Sequence, residues 1–416
     1  MGTRARVGLL HYTCPPIIGG VETILYEQAT RLTARGYPVT ILSGRGGPLP
    51  DPKAAKLVII GELDSRETAV SAVRDALDRG EIPSEFATLR ANIIERLSTE
   101  LAELDVVIVH NALTLHFNLP LTAALWTLAE SRRPRIISWV HDISWLNPIY
   151  RPWMHDGEPW DLLRRQHPNI TSIFVSAQRL EEWNELTHAT LDATHVIPNG
   201  IDPAALLKLG PRAQELAARF SLFNTDIVML APVRLTKRKN LEWALEAAAG
   251  VHATGQTVQL LITGPPGPHN PRALEYVGKL RELREQLGLQ QSVHFLFEES
   301  TGPTGDYAID AATLSDLYML SDVVILPSAS EGFGLPLAEA ALFRVPVVCT
   351  DLPAFREVAD EGPFFVAMSS GARAFTAAVL RAVDTSPARL RRRVLGAFAW
   401  DHIISERIEP LLTART

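Results

Sequence analysis

Short runs of apolar, mostly β-branched residues alternate with longer stretches of helical periodicity along nearly the whole chain. A short continuous apolar run is typical of a strand buried on both faces, and a repeat of about 3.6 residues is typical of an amphipathic helix. The alternation therefore predicts an α/β fold of βα units around parallel sheets. In the first half, strands are predicted at residues 6–10, 39–42, 57–60, 106–110, 136–140, 172–176 and 195–197, and helices at 21–35, 67–79, 84–104 and 177–186.

The series of strands begins again after residues 198–203, a segment that is rich in Pro, Asn and Gly. Such a composition is expected of a linker between domains. We therefore predict two α/β domains in tandem, over residues 1–205 and 206–399. Strands of the second domain are predicted at residues 227–230, 258–262, 293–295, 323–326, 347–349 and 364–366.

Composition and charge narrow the classes of function. Of the 416 residues, 46% are hydrophobic and 21% are charged, which is typical of a globular protein. The 40 Lys and Arg against 47 Asp and Glu leave a net charge of −7, so no nucleic-acid partner is expected. Cys14 and Cys349 lack the spacing of a zinc site or a disulfide framework. No apolar run is long enough for a transmembrane segment or a signal peptide, so we expect a cytoplasmic protein.

Doubly wound domains most often bind nucleotides, but the common phosphate-binding motifs are absent from the sequence. Neither glycine-rich turn of the first domain has the GxGxxG spacing that joins a strand to a helix. The GxxxxGK[ST] loop of nucleotide hydrolases and the GxSxG turn of hydrolases are missing as well. These absences exclude hydrolysis by either route.

The most informative segment is residues 331–339, which follows a predicted buried strand and opens a helix at about Leu335. Two glycines allow close approach of a ligand, and the helix N-terminus offers free N–H groups to phosphate oxygens. Its carboxylates would repel a phosphate, so we interpret them as acceptors for sugar hydroxyl groups. The alternative is that Glu331 caps the helix and Glu339 faces solvent. The candidate residues are Glu331, Gly332, Phe333, Gly334, Leu335 and Glu339.

A second candidate segment, residues 234–239, follows the first strand of the second domain and contains four cations in six residues. Arg234 offers a planar fork and Lys239 a point charge, which are two ways of binding phosphate. The alternative is a solvated basic loop. Both candidate segments follow parallel strands of one domain, however, and open α/β sheets bind ligands at that edge. The two segments together predict a diphosphate site.

At this point the sequence resembles the family 4 retaining glycosyltransferases, whose two Rossmann-like domains face each other across a cleft in the GT-B arrangement. The resemblance spans most of the chain, and its motifs occur in the expected order. It rests on Gly19 to Glu22 after strand one, His141 with Asp142 at a strand end, residues 197–202 before the linker, Arg234 with Lys239, Gly264 after a strand, and Glu331 with Glu339.

The resemblance implies a role for each of these positions. In such enzymes the second domain binds a nucleotide-sugar donor, and residues like Arg234 and Lys239 hold its diphosphate. Glu331 would lie near the donor sugar and Glu339 at the ribose. His141 resembles the active-site histidine, although a core histidine at a strand end is the alternative. Gly20, Gly264 and the backbone of residues 332–335 would complete the donor site, and a C-terminal helix at 400–416 would pack back on the first domain.

For the acceptor the resemblance implies the first domain, where aromatic and polar residues cluster after strand five. Asp142, Trp145 and Tyr150 are the candidates, since aromatic faces with polar tips suit sugars. A packed loop is the alternative. A small molecule, a glycan or a lipid-linked acceptor would fit, and a homo-oligomer is compatible with the sequence.

Two other functions remain open at this stage: a nucleotide-sugar epimerase with the same architecture, and a non-catalytic protein that binds sugar nucleotides. Donor base, sugar and acceptor are not fixed by the sequence. We expect no cofactor and no metal, because metal-dependent glycosyltransferases usually hold their cation with an Asp-x-Asp pair and the sequence contains none.

Overall fold

The computed structural model describes residues 4–266, 273–299 and 309–413. The chain forms two compact units. Unit 1 comprises Met1–Ile201 together with Trp400–Thr416, and unit 2 comprises Asp202–Ala399. The division falls at residue 201, four residues before the boundary that the sequence predicts, because the short helix that begins at Pro203 belongs to unit 2.

Unit 1 is built on a parallel sheet of six strands within the described residues, in the order β3-β2-β1-β4-β5-β6. Its central strands are mostly apolar and almost wholly buried, as expected where helices cover both sides of a parallel sheet. The strands are β1 (Val7–Thr13), β2 (Val39–Arg45), β3 (Lys56–Ile59), β4 (Val106–His110), β5 (Arg135–Val140) and β6 (Ile170–Phe174). The helices are α1 (Gly20–Ala34), α2 (Thr68–Leu77), α3 (Glu85–Leu101), α4 (Leu119–Ala129) and α5 (Ala177–Thr187).

Unit 2 repeats this plan within its described residues, in the order β12-β11-β10-β7-β8-β9, again with all strands parallel. Its first strand lies between β8 and β10, so the strand order reverses there and the carboxyl edge becomes a natural ligand site. The strands are β7 (Ile227–Ala231), β8 (Val258–Ile262), β9 (Val293–Phe295), β10 (Val323–Leu326), β11 (Val347–Thr350) and β12 (Phe364–Val366). The helices are α6 (Pro203–Leu206), α7 (Pro211–Arg219), α8 (Leu241–His252), α9 (Ala273–Gln286), α10 (Ala311–Leu320), α11 (Leu335–Leu342), α12 (Pro353–Val358), α13 (Gly371–Val383) and α14 (Ser386–Phe398).

One predicted strand is wrong. Residues 195–197 form no strand, and the chain instead makes a short 3-10 turn, Ala193–His195, before a single parallel bridge between Phe174 and Val196. Pro198 follows directly, and a proline has no N–H with which to continue a ladder.

The C-terminal residues pack on unit 1. They form α15 (Trp400–Ile403), a π-helical turn (Ile404–Ile408) and α16 (Glu409–Thr413). The Trp400 indole lies against Gly200, where a Cβ atom would approach the ring to 2.3 Å. The backbone N–H of Trp400 donates to the carbonyl of Ile201. The apolar side chains of this segment are buried in the same core as β1 and β2. Of the helices in the described part of the chain, none has the length and apolar character needed to cross a bilayer.

Candidate active site

The two candidate segments of unit 2 meet at the carboxyl edge of its sheet, where β7 and β10 are neighbours. The Ala329 N–H donates to the Arg238 carbonyl at 2.8 Å, and the Arg238 guanidinium donates to the Ser330 carbonyl at 3.1 Å. The loops after the two strands are therefore joined by hydrogen bonds, so the basic and the glycine-rich segment lie side by side.

Glu331 is the centre of an ionic cluster in this site. Its carboxylate pairs with the Lys239 ammonium, accepts from the Ser328 hydroxyl at 2.6 Å and pairs with the Arg238 guanidinium at 3.1 Å. Burial raises the pKa of Glu331, but the hydrogen bonds from Lys239, Ser328 and Arg238 outweigh it and hold that pKa below its ordinary value. Lys239 itself is only 7% exposed, and this carboxylate is the partner of its ammonium group inside the protein.

Arg234 differs from the other cations of the loop. Its side chain is exposed, and no ion pair or side-chain hydrogen bond joins it to another described residue. Nearby, Gly264 has a packing role, because a Cβ atom there would lie 2.4 Å from the Val233 carbonyl oxygen and 2.6 Å from the Arg234 Cα atom. Gly264 thus lets the loop after β8 approach the backbone that carries Arg234.

The glycine-rich turn leads into α11 with an open helix N-terminus. Gly334 precedes the helix with φ of +105°, in the left-handed region, and a Cβ atom there would lie 2.7 Å from the Phe355 ring. No side chain caps α11, so Glu331 does not cap it as the alternative proposed. A Cβ atom at Gly332 would meet nothing within 4 Å, and the side chains of Phe333 and Leu335 are 52% and 62% exposed. The turn is therefore accessible to a ligand.

Glu339 does not simply face solvent, which was the other part of that alternative. It is partly buried on α11 and accepts a hydrogen bond of 2.7 Å from the Tyr318 hydroxyl. The Tyr318 ring stacks on Phe343 with centroids 5.2 Å apart, and burial followed by the bond to Glu339 raises the pKa of Tyr318. The hydrogen bond from Tyr318 consequently orients the Glu339 carboxylate.

In unit 1, His141 lies directly after β5 and is partly exposed. Its Nε2 atom lies 3.1 Å from Nδ1 of His110, and its backbone N–H donates to the Asn111 side chain at 2.9 Å. Burial, with a smaller effect from His11, lowers the pKa of His141 to about 4. The ring is therefore neutral at pH 7.

Gly20 begins α1 at the carboxyl edge of unit 1. No side chain caps this helix, and a Cβ atom at Gly20 would meet nothing within 4 Å. At Gly19, by contrast, it would collide with the Glu22 carboxylate, which accepts from the Thr13 hydroxyl. The start of α1 therefore combines an accessible backbone with a helix N-terminus, the usual features of an anion site.

The three predicted acceptor residues have different surroundings. Trp145 is 5% exposed, donates its indole N–H to the Trp160 carbonyl at 3.1 Å and lies against two guanidinium groups, so it packs inside the loop and presents no open face. The Asp142 carboxylate is occupied by the Ile143 N–H at 2.9 Å, by Asn147 at 2.8 Å and by Arg179 at 3.3 Å. Of the three, Tyr150 alone is an aromatic residue that is partly exposed.

Sequence reasoning missed His116, His110 and Gln28 around these sites, whereas Trp153 belongs to the aromatic cluster that it noted after strand five. Tyr150 packs on Trp153 and on His116, with ring centroids 6.2 Å and 5.2 Å away, and Trp153 is 37% exposed. His110 and Gln28 lie behind His141. A signal for His110 was present, because it ends the strand that precedes β5 in the chain and parallel strands end at one edge.

No three His, Cys, Asp or Glu side chains in the described residues are grouped so that they could hold a metal ion.

Two family models match consecutive parts of the chain. One is described as "Glycosyltransferase Family 4" and matches residues 18–205, and the other as "Glycosyl transferases group 1" and matches residues 213–394. Mannosylglucosylglycerate synthase of Petrotoga mobilis is 23% identical over 89% of this chain and 87% of its own. D-inositol 3-phosphate glycosyltransferase 1 of Catenulispora acidiphila is 24% identical over 95% and 90%. Glycogen synthase of Mycobacterium tuberculosis is 25% identical over 99% and 95%.

Among solved structures, Anabaena HepE in complex with UDP and glucose covers 99% of this chain and 100% of its own, with 17% identity and a TM-score of 0.35. A glycosyltransferase from Rickettsia africae covers 99% and 100%, with 15% identity and a TM-score of 0.36.

Two Rossmann-like units in one chain, each with an accessible carboxyl edge, define the GT-B class of fold. The two family models identify the group within that class, and the chain belongs to the family 4 glycosyltransferases. It is accordingly an enzyme that transfers glycosyl groups.

Proposed function

We propose that this protein is a retaining hexosyltransferase that moves a hexose from a nucleoside diphosphate sugar to a hydroxyl group of an acceptor. The observation that carries the proposal is the edge of unit 2 where Arg234, Arg238 and Lys239 lie in one site with the open N-terminus of α11. A diphosphate is bound best by charge-assisted donors together with backbone amides, and this edge offers both.

Within the donor site we assign a role to each group by its surroundings. Arg234 makes no ion pair with a carboxylate of the described residues and would bind the diphosphate directly. Lys239 is held by Glu331, which would orient it and lie nearer the transferred sugar. The amides around Gly334 would bind phosphate oxygens. Glu339, fixed by Tyr318, would accept hydrogen bonds from ribose hydroxyls.

From unit 1 we propose contributions of Gly20 to the diphosphate and of His141 to the donor sugar. In the reaction, the bond from the anomeric carbon to the leaving phosphate breaks while a bond to the acceptor oxygen forms on the same face. The leaving phosphate takes the acceptor proton, so neither a nucleophilic carboxylate nor a general base is required. Arg234 and Lys239 would stabilise the charge that develops on the diphosphate.

For the acceptor we propose the accessible aromatic surface formed by Tyr150 and Trp153, because aromatic faces pack well on sugar rings. The names of two relatives mention a glycerate and an inositol phosphate, which are small polar molecules with several hydroxyl groups or a charge. A small polar acceptor of that kind would fit Tyr150 better than Trp145, whose ring is covered.

We further propose that transfer needs no divalent metal, since cations of the protein already lie where the diphosphate charge would develop. A cytoplasmic location fits the two cysteines, both of which are free and buried thiols.

The experiment that tests this function compares Arg234→Ala with the intact enzyme on the best nucleotide-sugar donor found in a panel of UDP, GDP and ADP sugars. Losing a charge-assisted hydrogen bond of about 1.5–3 kcal/mol should lower kcat/KM at least about tenfold without changing the fold. Lys237→Ala is the matched control, because Lys237 is an exposed cation of the same loop. NMR of the product should show a retained anomeric configuration, and excess EDTA should leave transfer intact.

Each part of the proposal can fail separately. Unchanged kinetics in Arg234→Ala, or an equal loss in Lys237→Ala, would remove the diphosphate assignment. An inverted product would remove the retaining mechanism. Loss of activity in EDTA that Mg²⁺ or Mn²⁺ restores would overturn metal independence.

A further inference from the structure

A chain of hydrogen bonds runs through the interior of unit 1 and ends at His141. It begins at Gln28 on α1, whose Oε1 atom lies 3.2 Å from Nε2 of His110. It continues from Nδ1 of His110 to Nε2 of His141 over 3.1 Å. Gln28 and His110 are both fully buried, so neither can reach solvent or substrate. Among the described residues, the side chains of Gln28 and His110 are therefore linked to the site through His141.

The donor and the acceptor in each of these hydrogen bonds follow from the chemistry of the side chains. Oε1 of Gln28 can only accept, so His110 must carry its proton on Nε2. A neutral imidazole has one N–H, which leaves Nδ1 of His110 as an acceptor. His141 must then donate from Nε2, and its own Nδ1 keeps an unshared electron pair. Nδ1 of His141 makes no hydrogen bond to another group in the described residues.

The surroundings keep both rings neutral. Burial, and then the neighbouring His141 and His11, lower the pKa of His110 well below its ordinary value. His11 donates from Nδ1 to the His110 carbonyl at 3.0 Å, and its Nε2 atom lies 4.0 Å from the Glu22 carboxylate. Glu22 is thus a carboxylate beside this cluster, next to the Nε2 atom of His11.

We propose that Gln28 and His110 are positioning residues that hold His141 in the tautomer with the proton on Nε2 and the acceptor electron pair on Nδ1. For its catalytic consequence this inference rests on the proposed function. His141 would then receive a hydrogen bond from a hydroxyl group of the donor sugar, and it could not donate one to a phosphate oxygen. In this arrangement His141 would orient the donor sugar and would not transfer a proton in the reaction.

The tautomer can be read without any substrate. Two-bond ¹H–¹⁵N correlation spectra of the full-length protein, labelled with ¹⁵N-histidine, distinguish a protonated ring nitrogen from an unprotonated one. Signals are assigned by their loss in His110→Gln and His141→Gln. We expect a protonated Nε2 and an unprotonated Nδ1 in both rings. A protonated Nδ1 in His141 would mean that the Gln28 carboxamide is turned the other way, and it would overturn the proposal.

Gln28→Leu tests whether the hydrogen bonds from Gln28 through His110 hold the tautomer of His141. Leucine keeps the bulk of the side chain and removes the Oε1 acceptor. We expect a signal from His141 with a protonated Nδ1 to appear, and kcat to fall about fivefold while the donor KM stays within about twofold. The matched control is Gln166→Leu. Gln166 is a partly buried glutamine of unit 1 that donates to the Ile170 carbonyl at 2.7 Å and takes no part in the hydrogen bonds between Gln28, His110 and His141.

The control separates positioning from a merely structural role. If Gln28→Leu and Gln166→Leu lose thermal stability alike and both keep the His141 tautomer, Gln28 is structural and the proposal is wrong. If the tautomer is as expected but no donor is consumed by the intact protein, the proposed function fails and the assignment of the tautomer stands.

Discussion

At the scale of single residues, burial decides which histidines carry charge. His116 is an example in unit 1. It packs between Phe117 and Tyr150, with ring centroids 4.7 Å and 5.2 Å away, and its Nδ1 atom lies 2.9 Å from the Ser144 hydroxyl. Burial, with a smaller effect from the charge of Arg74, lowers the pKa of His116 to about 4. The folded protein therefore contains a neutral ring where the unfolded chain has an ordinary histidine.

This difference predicts a loss of stability in weak acid. In the unfolded chain His116 takes up a proton at about pH 6.5, but in the folded protein it does so only near pH 4. The free energy of unfolding should fall as the pH drops from 6.5 to 4 and show no further loss from this group below that. A pKa shift of this size in one histidine lowers the free energy of unfolding by about 3 kcal/mol between pH 6.5 and pH 4. Urea unfolding at several pH values should thus give a shallower pH dependence for His116→Asn than for the intact protein.

The control for this measurement is His252→Asn, because His252 is exposed at the end of α8. It should follow the pH dependence of the intact protein. Tryptophan fluorescence reports mainly on unit 1, since Trp243 is the only tryptophan of the sequence between residues 202 and 399. Parallel curves for His116→Asn and the intact protein would show that the ring does not resist protonation.

Part of the site could be predicted residue by residue and part could not. The types and order of Arg234, Lys239, Glu331 and Glu339 were sufficient to suggest a donor site. The pairing of Lys239 with Glu331 was missed, because it joins loops that lie 92 residues apart and depends on β7 and β10 being neighbours. Trp145 was misinterpreted for a related reason: a local sequence does not indicate which aromatic side chain of an irregular loop turns inward.

At the scale of elements, the glycine turn before α11 places the helix N-terminus at the edge of the sheet. Gly334 combines a φ of +105° with close contact to Phe355, whose ring is fully buried. A residue with a side chain would be strained there and would also press on the core. The helix position therefore depends on this one glycine.

We predict that Gly334→Ala lowers the free energy of unfolding by about 1–3 kcal/mol through backbone strain and the clash with Phe355. It should also weaken binding of a nucleoside diphosphate, because the start of α11 must shift. Gly278→Ala is the matched control: Gly278 lies inside α9, and a Cβ atom there would meet nothing within 4 Å. That variant should gain about 0.5–1 kcal/mol. Denaturant unfolding and calorimetry with UDP measure both effects, and an unaltered Gly334→Ala would disprove the argument.

Elements of regular structure were the easier part to predict. The strands at 106–110, 258–262, 293–295, 323–326 and 364–366 have the predicted bounds, because short β-branched runs between turns give a clear signal. Helix α4 was not predicted. Most of its residues are buried, as in Leu119 and Leu125, so its sequence lacks the polar face that produces a helical period.

At the scale of the whole molecule, each unit has its own hydrophobic core. The core of unit 2 draws its buried residues from 209–383. Two cores flank the sheet of unit 1, and one of them includes Trp400, Ile403 and Ile408 from the C-terminal segment. The chain therefore completes unit 1 only after it has built unit 2, and the last residues of the fold stabilise the first strands.

This arrangement predicts that core substitutions act on one unit at a time. Trp400→Ala removes a fully buried indole from the core of unit 1, at a cost of about 3–5 kcal/mol, and Phe375→Ala does the same in unit 2. Hydrogen exchange followed by mass spectrometry reports peptides of each unit separately. Faster exchange should appear in β1, β2 and β4 for Trp400→Ala, and in β7, β10 and β11 for Phe375→Ala. If either variant accelerated exchange equally in both sheets, the two units would have to unfold as one cooperative structure, and the C-terminal segment would stabilise more than unit 1.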